Sequence, residues 1–127
     1  MMTNEKKILF ADDDLRNRKL METLLRIDGY RVLAVESGQA LLDEVDQEMP
    51  DLIMLDLMMP GMDGFEVLRR LKASERTRNI PIVMVTALDD EGSSLRLRAA
   101  GVADTLSKPV DRWQLKKTLD QLLGAVP

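Results

Sequence analysis

The 127-residue chain contains no cysteine and no histidine. Without cysteine there is no disulfide framework and no thiolate metal site, a composition that fits a reducing compartment. Without histidine the commonest general base is missing, so acid or base chemistry falls to carboxylates and lysine. No apolar stretch approaches the ~20 residues needed to span a bilayer, and Met1 to Lys7 lack the apolar core of a signal peptide. A cytoplasmic location with no membrane partner is the expectation. There is no basic stripe either: the net charge is −4, with acidic and basic residues interspersed, so nothing argues for direct nucleic-acid contact. Repeats, linkers and low-complexity tracts are also missing. At 45% hydrophobic content this length can bury one ordinary core but not two, and residues 1–127 are expected to form a single domain.

What is present is organised around Asp51 to Gly64. The run Leu52 to Leu55 has no polar residue on either side of the pleat, so it reads as a parallel strand buried on both faces. Its first polar residue, Asp56, then emerges at the carboxyl end, where open α/β sheets bind ligands. Pro60, Gly61 and Gly64 follow as a turn. Around this strand the chain alternates. Ile8 to Ala11 is a short apolar run, followed by a helix carrying Leu20, Met21, Leu24, Leu25 and Ile27 at helical spacing, capped by Asp14 and stopped at Asp28-Gly29. Val32 to Val35 is a second strand, and Ser37 caps a helix with Leu41, Leu42 and Val45 inward. Phe65, Leu68 and Leu71 mark one face of a third helix, after which Thr77 to Asn79 reads as a loose stretch. Pro81 opens a fourth strand, Ile82 to Val85, ended by Thr86-Ala87. Asp89, Asp90 and Glu91 place negative charge at the start of a fourth helix, whose apolar stripe is thin and which is expected to be mobile. Ala103 to Leu106 is a fifth strand, and a last helix turns Leu115, Leu119, Leu122 and Leu123 inward. Alternating strands and helices imply a doubly wound parallel sheet with right-handed crossovers, the α/β class.

All carboxyl ends of a parallel sheet point the same way, so Asp12, Asp13, Asp56, Thr86 and Lys108 gather at one edge. Three carboxylates at ~4 Å would repel by about 4 kcal/mol per pair at an effective dielectric near 20, so they call for a cation. Oxygen donors without histidine or cysteine suit Mg²⁺, which keeps several waters and leaves room for a phosphate oxygen. Lys108 supplies a second positive point and Thr86 a hydroxyl donor. The set fits stabilisation of a transferring phosphoryl group, with Asp56 as the nucleophile.

Asp12-Asp13 after strand one, Asp56 within Leu-Asp-Leu-Met-Met-Pro-Gly-Met-Asp-Gly, Thr86-Ala87 after strand four and Lys108-Pro109 after strand five resemble the receiver domain of two-component response regulators, of the chemotaxis-regulator type, over nearly the whole chain. The resemblance implies a flavodoxin-like (βα)5 domain with strand order 2-1-3-4-5, which the central apolar runs allow but periodicity does not fix. It further implies that Asp56 accepts phosphate from a sensor histidine kinase or phosphotransfer protein. Asp13, Asp56 and the Met58 carbonyl would ligate Mg²⁺, with Asp12 reaching it through water. The Thr86 hydroxyl and the Ala87 amide would grip the phosphoryl group, with Met58 also phosphate-binding, and Lys108-Pro109 would be cis. Such a domain catalyses only its own phosphorylation and dephosphorylation. It acts on an output partner, on a C-terminal output domain, or through a homodimer built on helix 4, strand 5 and helix 5. One position departs from the pattern: the aromatic residue usual three places before the lysine is Thr105.

Taken singly, each residue has a plainer reading: Asp14 as a cap, Thr86 as a strand former, Lys108 as a surface lysine, Met58, Met59 and Met62 as gap filling, Trp113 as half-buried packing, and Arg96, Arg98, Lys116 and Lys117 as a solvated face. The matching strand ends argue for the set. Two rivals share parts of it. An aspartyl-phosphate phosphatase of the haloacid dehalogenase type uses Asp-x-Asp, present in Asp12-Asp13-Asp14, but Arg16 stands where its Thr or Val belongs and the chain has no room for that class's cap. A flavodoxin-type FMN module needs a Ser/Thr/Gly phosphate loop after strand one, where three aspartates would repel phosphate.

Overall fold

A computed structural model describes residues 5–87 and 91–124. Strand and helix alternate throughout as β1 (Lys7–Ala11), α1 (Leu15–Ile27), β2 (Arg31–Val35), α2 (Gly38–Val45), β3 (Leu52–Asp56), α3 (Gly64–Ala73), β4 (Ile82–Thr86), α4 (Glu91–Ala100), β5 (Asp104–Ser107) and α5 (Arg112–Leu123). All pairings are parallel, in the order β2-β1-β3-β4-β5. The doubly wound sheet expected from the sequence is therefore the one observed.

Strand side chains alternate between two cores, as the two-residue period of a strand requires. Leu9, Ile53, Leu55, Ile82 and Met84 pack with Leu41 and Val45 of α2, Val67, Leu68 and Leu71 of α3, and Leu97 of α4. Ile8, Phe10, Leu52, Met54, Val83 and Val85 face the other way, onto Met21 and Leu25 of α1 and Leu115 and Leu119 of α5. Each fully buried leucine or isoleucine contributes roughly 1.5–3 kcal/mol of transfer free energy, so the central strands anchor the site edge firmly. Helix starts are set locally: Asp14, Ser37, Asp63 and Asp111 each accept a backbone N–H from the first turn of the helix that follows.

Several details depart from the sequence reading. In α1 only Met21 and Leu25 are buried, whereas Leu20 and Ile27 lie exposed, because one helix face is narrower than the set of apolar residues the segment carries. Thr77 to Asn79 is not loose: Thr77 is buried, its Oγ1 donates to the Leu71 carbonyl at 2.6 Å, and its own carbonyl accepts from Ile80 at 3.0 Å. Trp113 is 70% exposed, with the Arg112 guanidinium 5.7 Å from its ring centre, so it does not pack half-buried. The methionines of the β3–α3 turn divide, with Met59 buried, Met62 packed against the core and Met58 exposed. Helix α4 is anchored as thinly as its sequence suggests. Leu97 is its buried apolar residue and Leu95 is exposed, while Arg96 stacks 4.7 Å over Phe65 of α3. Asp89 and Asp90, expected to open that helix, lie outside the described residues.

Gly64 makes the β3–α3 turn possible. Its N–H donates to the Leu57 carbonyl at 2.9 Å, and a Cβ there would stand 2.9 Å from Leu57 Cα, 2.9 Å from Met84 Sδ and 3.0 Å from the Asp56 carbonyl. Two of those neighbours are backbone and cannot step aside without moving Asp56. Gly64→Ala is expected to cost about 1–3 kcal/mol through overpacking, read as a lower urea midpoint. An unchanged midpoint would show that the turn yields.

Candidate functional site

Asp12 is the first residue past β1 and is fixed from several directions. Its N–H donates to the Val35 carbonyl at 3.1 Å, and its Oδ1 accepts from the Asp14 N–H at 2.8 Å. Its Oδ2 is buried without a hydrogen-bond donor, and the nearest cation, Lys108 Nζ, stands 3.5 Å away. That separation is an ion pair rather than a hydrogen bond. Asp56 closes β3 at 4% exposure. Its Oδ1 accepts from the Met58 N–H at 3.2 Å, and its Oδ2 faces Lys108 Nζ at 3.1 Å. Lys108 is aimed by its backbone, whose N–H donates to the Thr86 carbonyl at 2.9 Å and ties the turn after β5 to the end of β4. The Lys108-Pro109 bond is cis, as the resemblance implied.

Burial dominates the electrostatics of Asp56 and pushes its carboxyl up from the ordinary value. The hydrogen bond and charge of Lys108 oppose the rise, and the neighbouring Asp12 adds to it. Desolvation alone would lower the Lys108 ammonium, but the pull of Asp56, reinforced by Asp12, prevails and raises it. One lysine thus serves two buried carboxylates. The third, Asp13, is exposed, and oxygens of Asp12, Asp13 and Asp56 all lie within 4.8 Å of one another. An all-oxygen donor set with one orphaned buried oxygen fits a hard divalent cation such as Mg²⁺.

The structure therefore brings Asp12, Asp13, Asp56 and Lys108 together. Thr86, buried as the last residue of β4, joins them through its carbonyl bond to Lys108. Met58, 63% exposed, touches the site through its N–H, and Ala87 lies exposed one residue past β4. Arg18 escaped the sequence reading: its Nη1 donates to the Asp12 carbonyl at 2.8 Å. A basic residue in the first turns of a helix does not mark it in the sequence, since Arg16 sits nearer the same end.

The profile of the response regulator receiver domain matches residues 8–120. The chain belongs to that family. PleD, a response regulator of Caulobacter vibrioides, is 43% identical over 105 residues, covering 83% of this chain but 23% of PleD. The chain thus spans about a quarter of that relative's length. The polar-differentiation response regulator DivK of Brucella ovis is 34% identical over 119 residues, covering 94% of this chain and 97% of DivK. Among solved structures, the receiver domain of sensor histidine kinase PA1611 from Pseudomonas aeruginosa superposes with a TM-score of 0.87 at 31% identity, covering 95% of this chain and 99% of that one. It holds a magnesium ion in its active-site cleft. Receiver domains are signalling modules that bind Mg²⁺ at their acidic site and interact with histidine kinases or phosphotransfer proteins. This receiver carries the matching acidic cluster. None of these comparisons supports the phosphatase reading. No helix among the described residues is long and apolar enough to cross a membrane.

Proposed function

We propose that this receiver takes a phosphoryl group onto Asp56 from the phosphohistidine of a sensor kinase or phosphotransfer protein in the cytoplasm. The observation that carries this reading is the placement of Asp56: buried at a strand end, 3.1 Å from Lys108 Nζ and beside two further carboxylates. One carboxylate oxygen attacks phosphorus, the P–N bond breaks, and its electron pair returns to the imidazole of the donor. Asp13, Asp56 and the Met58 carbonyl would hold Mg²⁺, with Asp12 reaching it through water; when bound, such an ion would supply positive charge toward the phosphoryl oxygens. Lys108, 3.1 Å from Asp56 Oδ2, contributes a fixed cation, and the Thr86 hydroxyl and Ala87 amide would donate to phosphoryl oxygens. A mostly apolar cavity of about 350 Å³ opens between α1 and the turn after β5, with Asp12 and Lys108 of the site on its wall beside Phe10, Leu20, Met21 and Val110. With Leu20 exposed at its rim, it suits the apolar face of the phosphodonor.

Output runs through α4, β5 and α5. A Tyr or Phe at position 105 would change burial between states, whereas Thr105 offers a fraction of that area, so the thinly held α4 carries the response instead. The receiver acts on a separate partner, as a homodimer, or on an attached output domain. PleD, of which it matches 23%, and DivK, of which it matches 97%, are consistent with attached and free-standing arrangements respectively. Incubation with acetyl phosphate and Mg²⁺ is expected to add one acid-labile phosphate per chain by intact mass, and EDTA to abolish it. A stoichiometric adduct that forms in EDTA would refute the reading.

A further inference from the structure

Of the three clustered carboxylates, two are fixed by bonds of their own. Asp12 accepts from the Asp14 N–H, and Asp56 accepts from the Met58 N–H and faces Lys108. Asp13 is exposed, and among the described residues its carboxylate has no hydrogen-bond or ion-pair partner. Its direction therefore depends on the main chain that carries it. The peptide plane joining Asp12 to Asp13 is set by the Asp12 carbonyl, and rotating that plane swings the Asp13 side chain away from the other two acids. The group that grips this carbonyl is Arg18, through Nη1 at 2.8 Å in a part-buried contact.

Arg18 is a costly choice for its helix. Its N–H donates to the Asp14 carbonyl at 2.9 Å, which puts it one turn into α1, and that first turn carries no acidic residue. A cation near the positive end of a helix dipole is unfavourable. Arg16 lies nearer that end still, so it is the bond to the Asp12 carbonyl that singles out Arg18. A planar guanidinium reaching back over the first turn to a main-chain oxygen supplies the compensating contact.

We infer that Arg18 is a positioning residue for the metal site: by holding the Asp12 carbonyl it fixes the Asp12-Asp13 peptide and so aims the Asp13 carboxylate at the cation. The inference rests on the Mg²⁺ reading of the acidic cluster. It has a distinctive sign. Removing a positive charge near a cation site should tighten Mg²⁺ binding by electrostatics alone, whereas removing a positioning bond should weaken it.

The test compares wild type, Arg18→Met and Arg16→Met by calorimetric titration with Mg²⁺, at a temperature where all three are fully folded by circular dichroism. Arg16 is an exposed neighbour, so Arg16→Met loses the same charge without the bond to the loop. The expected result is a dissociation constant raised about tenfold in Arg18→Met, the scale on which outer partners of metal ligands act, with Arg16→Met unchanged or tighter. Phosphorylation by acetyl phosphate should then need correspondingly more Mg²⁺ for half-saturation but reach the wild-type rate at saturation, a split that general loosening of the fold would not produce. Equal or tighter Mg²⁺ binding in Arg18→Met overturns the inference while leaving the site reading intact. Failure of the wild type to bind Mg²⁺ overturns both.

Discussion

Asp56→Asn is expected to take up no phosphate from acetyl phosphate and Mg²⁺, a complete loss by intact mass, because the amide oxygen is not a competent nucleophile and no other strand-end carboxylate lies so close to Lys108 Nζ. The same substitution should also stabilise the protein. Burial raises the Asp56 carboxyl above its ordinary value of 3.8, so the folded state holds that proton more tightly than the unfolded one. Stability associated with the group is then full below the unfolded value and is lost as pH rises through the folded value. In EDTA at neutral pH the wild type carries this penalty and the asparagine variant does not. Asp56→Asn should therefore melt higher at neutral pH, with the difference closing on acidification. A lower melting temperature at neutral pH, or a difference independent of pH, would contradict the account. Full phosphorylation of the variant would remove Asp56 from its role.

Lys108→Ala has the second largest expected effect. It strips the cation from Asp56 Oδ2 and from the already orphaned Asp12 Oδ2, leaving two buried carboxylates without a positive partner. The expected loss in EDTA at neutral pH is about 2–3 kcal/mol, below the usual range for breaking a buried pair because the lysine side chain is still 23% exposed. The raised ammonium keeps this contribution present from neutral pH up to its ordinary value of 10.5, and at the alkaline end it is lost only as pH rises through the still higher folded value. Two treatments should restore stability. Acid protonates Asp56, and Mg²⁺ supplies another cation at the acidic cluster. Denaturant titrations at neutral and acid pH, with and without Mg²⁺, check this, and a deficit unchanged by either treatment would show that lost packing is responsible. Phosphate uptake by Lys108→Ala should be slow, and beryllofluoride, an aspartyl-phosphate mimic, should no longer alter amide exchange in α4. A wild-type exchange response would show that Lys108 does not sense the phosphoryl group.

Much of this molecule is legible along the chain because the signals act over a few residues. Leu52 to Leu55 and Ile82 to Val85 announce strands buried on both faces, and both are fully buried. Asp14 and Ser37 announce helix starts, and their side chains accept the first-turn N–H groups. A strand end followed by an acid can be read the same way, and it groups Asp12, Asp13 and Asp56 as a set. What the chain could not state is distance between parts far apart in it. The 3.1 Å contact between Lys108 and Asp56 depends on the register of β3, β4 and β5 and on the Lys108 N–H reaching the Thr86 carbonyl. The exposure of Leu20, Ile27 and Trp113 was likewise decided by which part of a helix surface the sheet covers, and the sheet covers less of α1 and α5 than their apolar content would fill. Arg18 shows the limit most directly. Its sequence context is an ordinary charged helix start, and only the fold of the β1–α1 turn brings the Asp12 carbonyl within reach of its guanidinium.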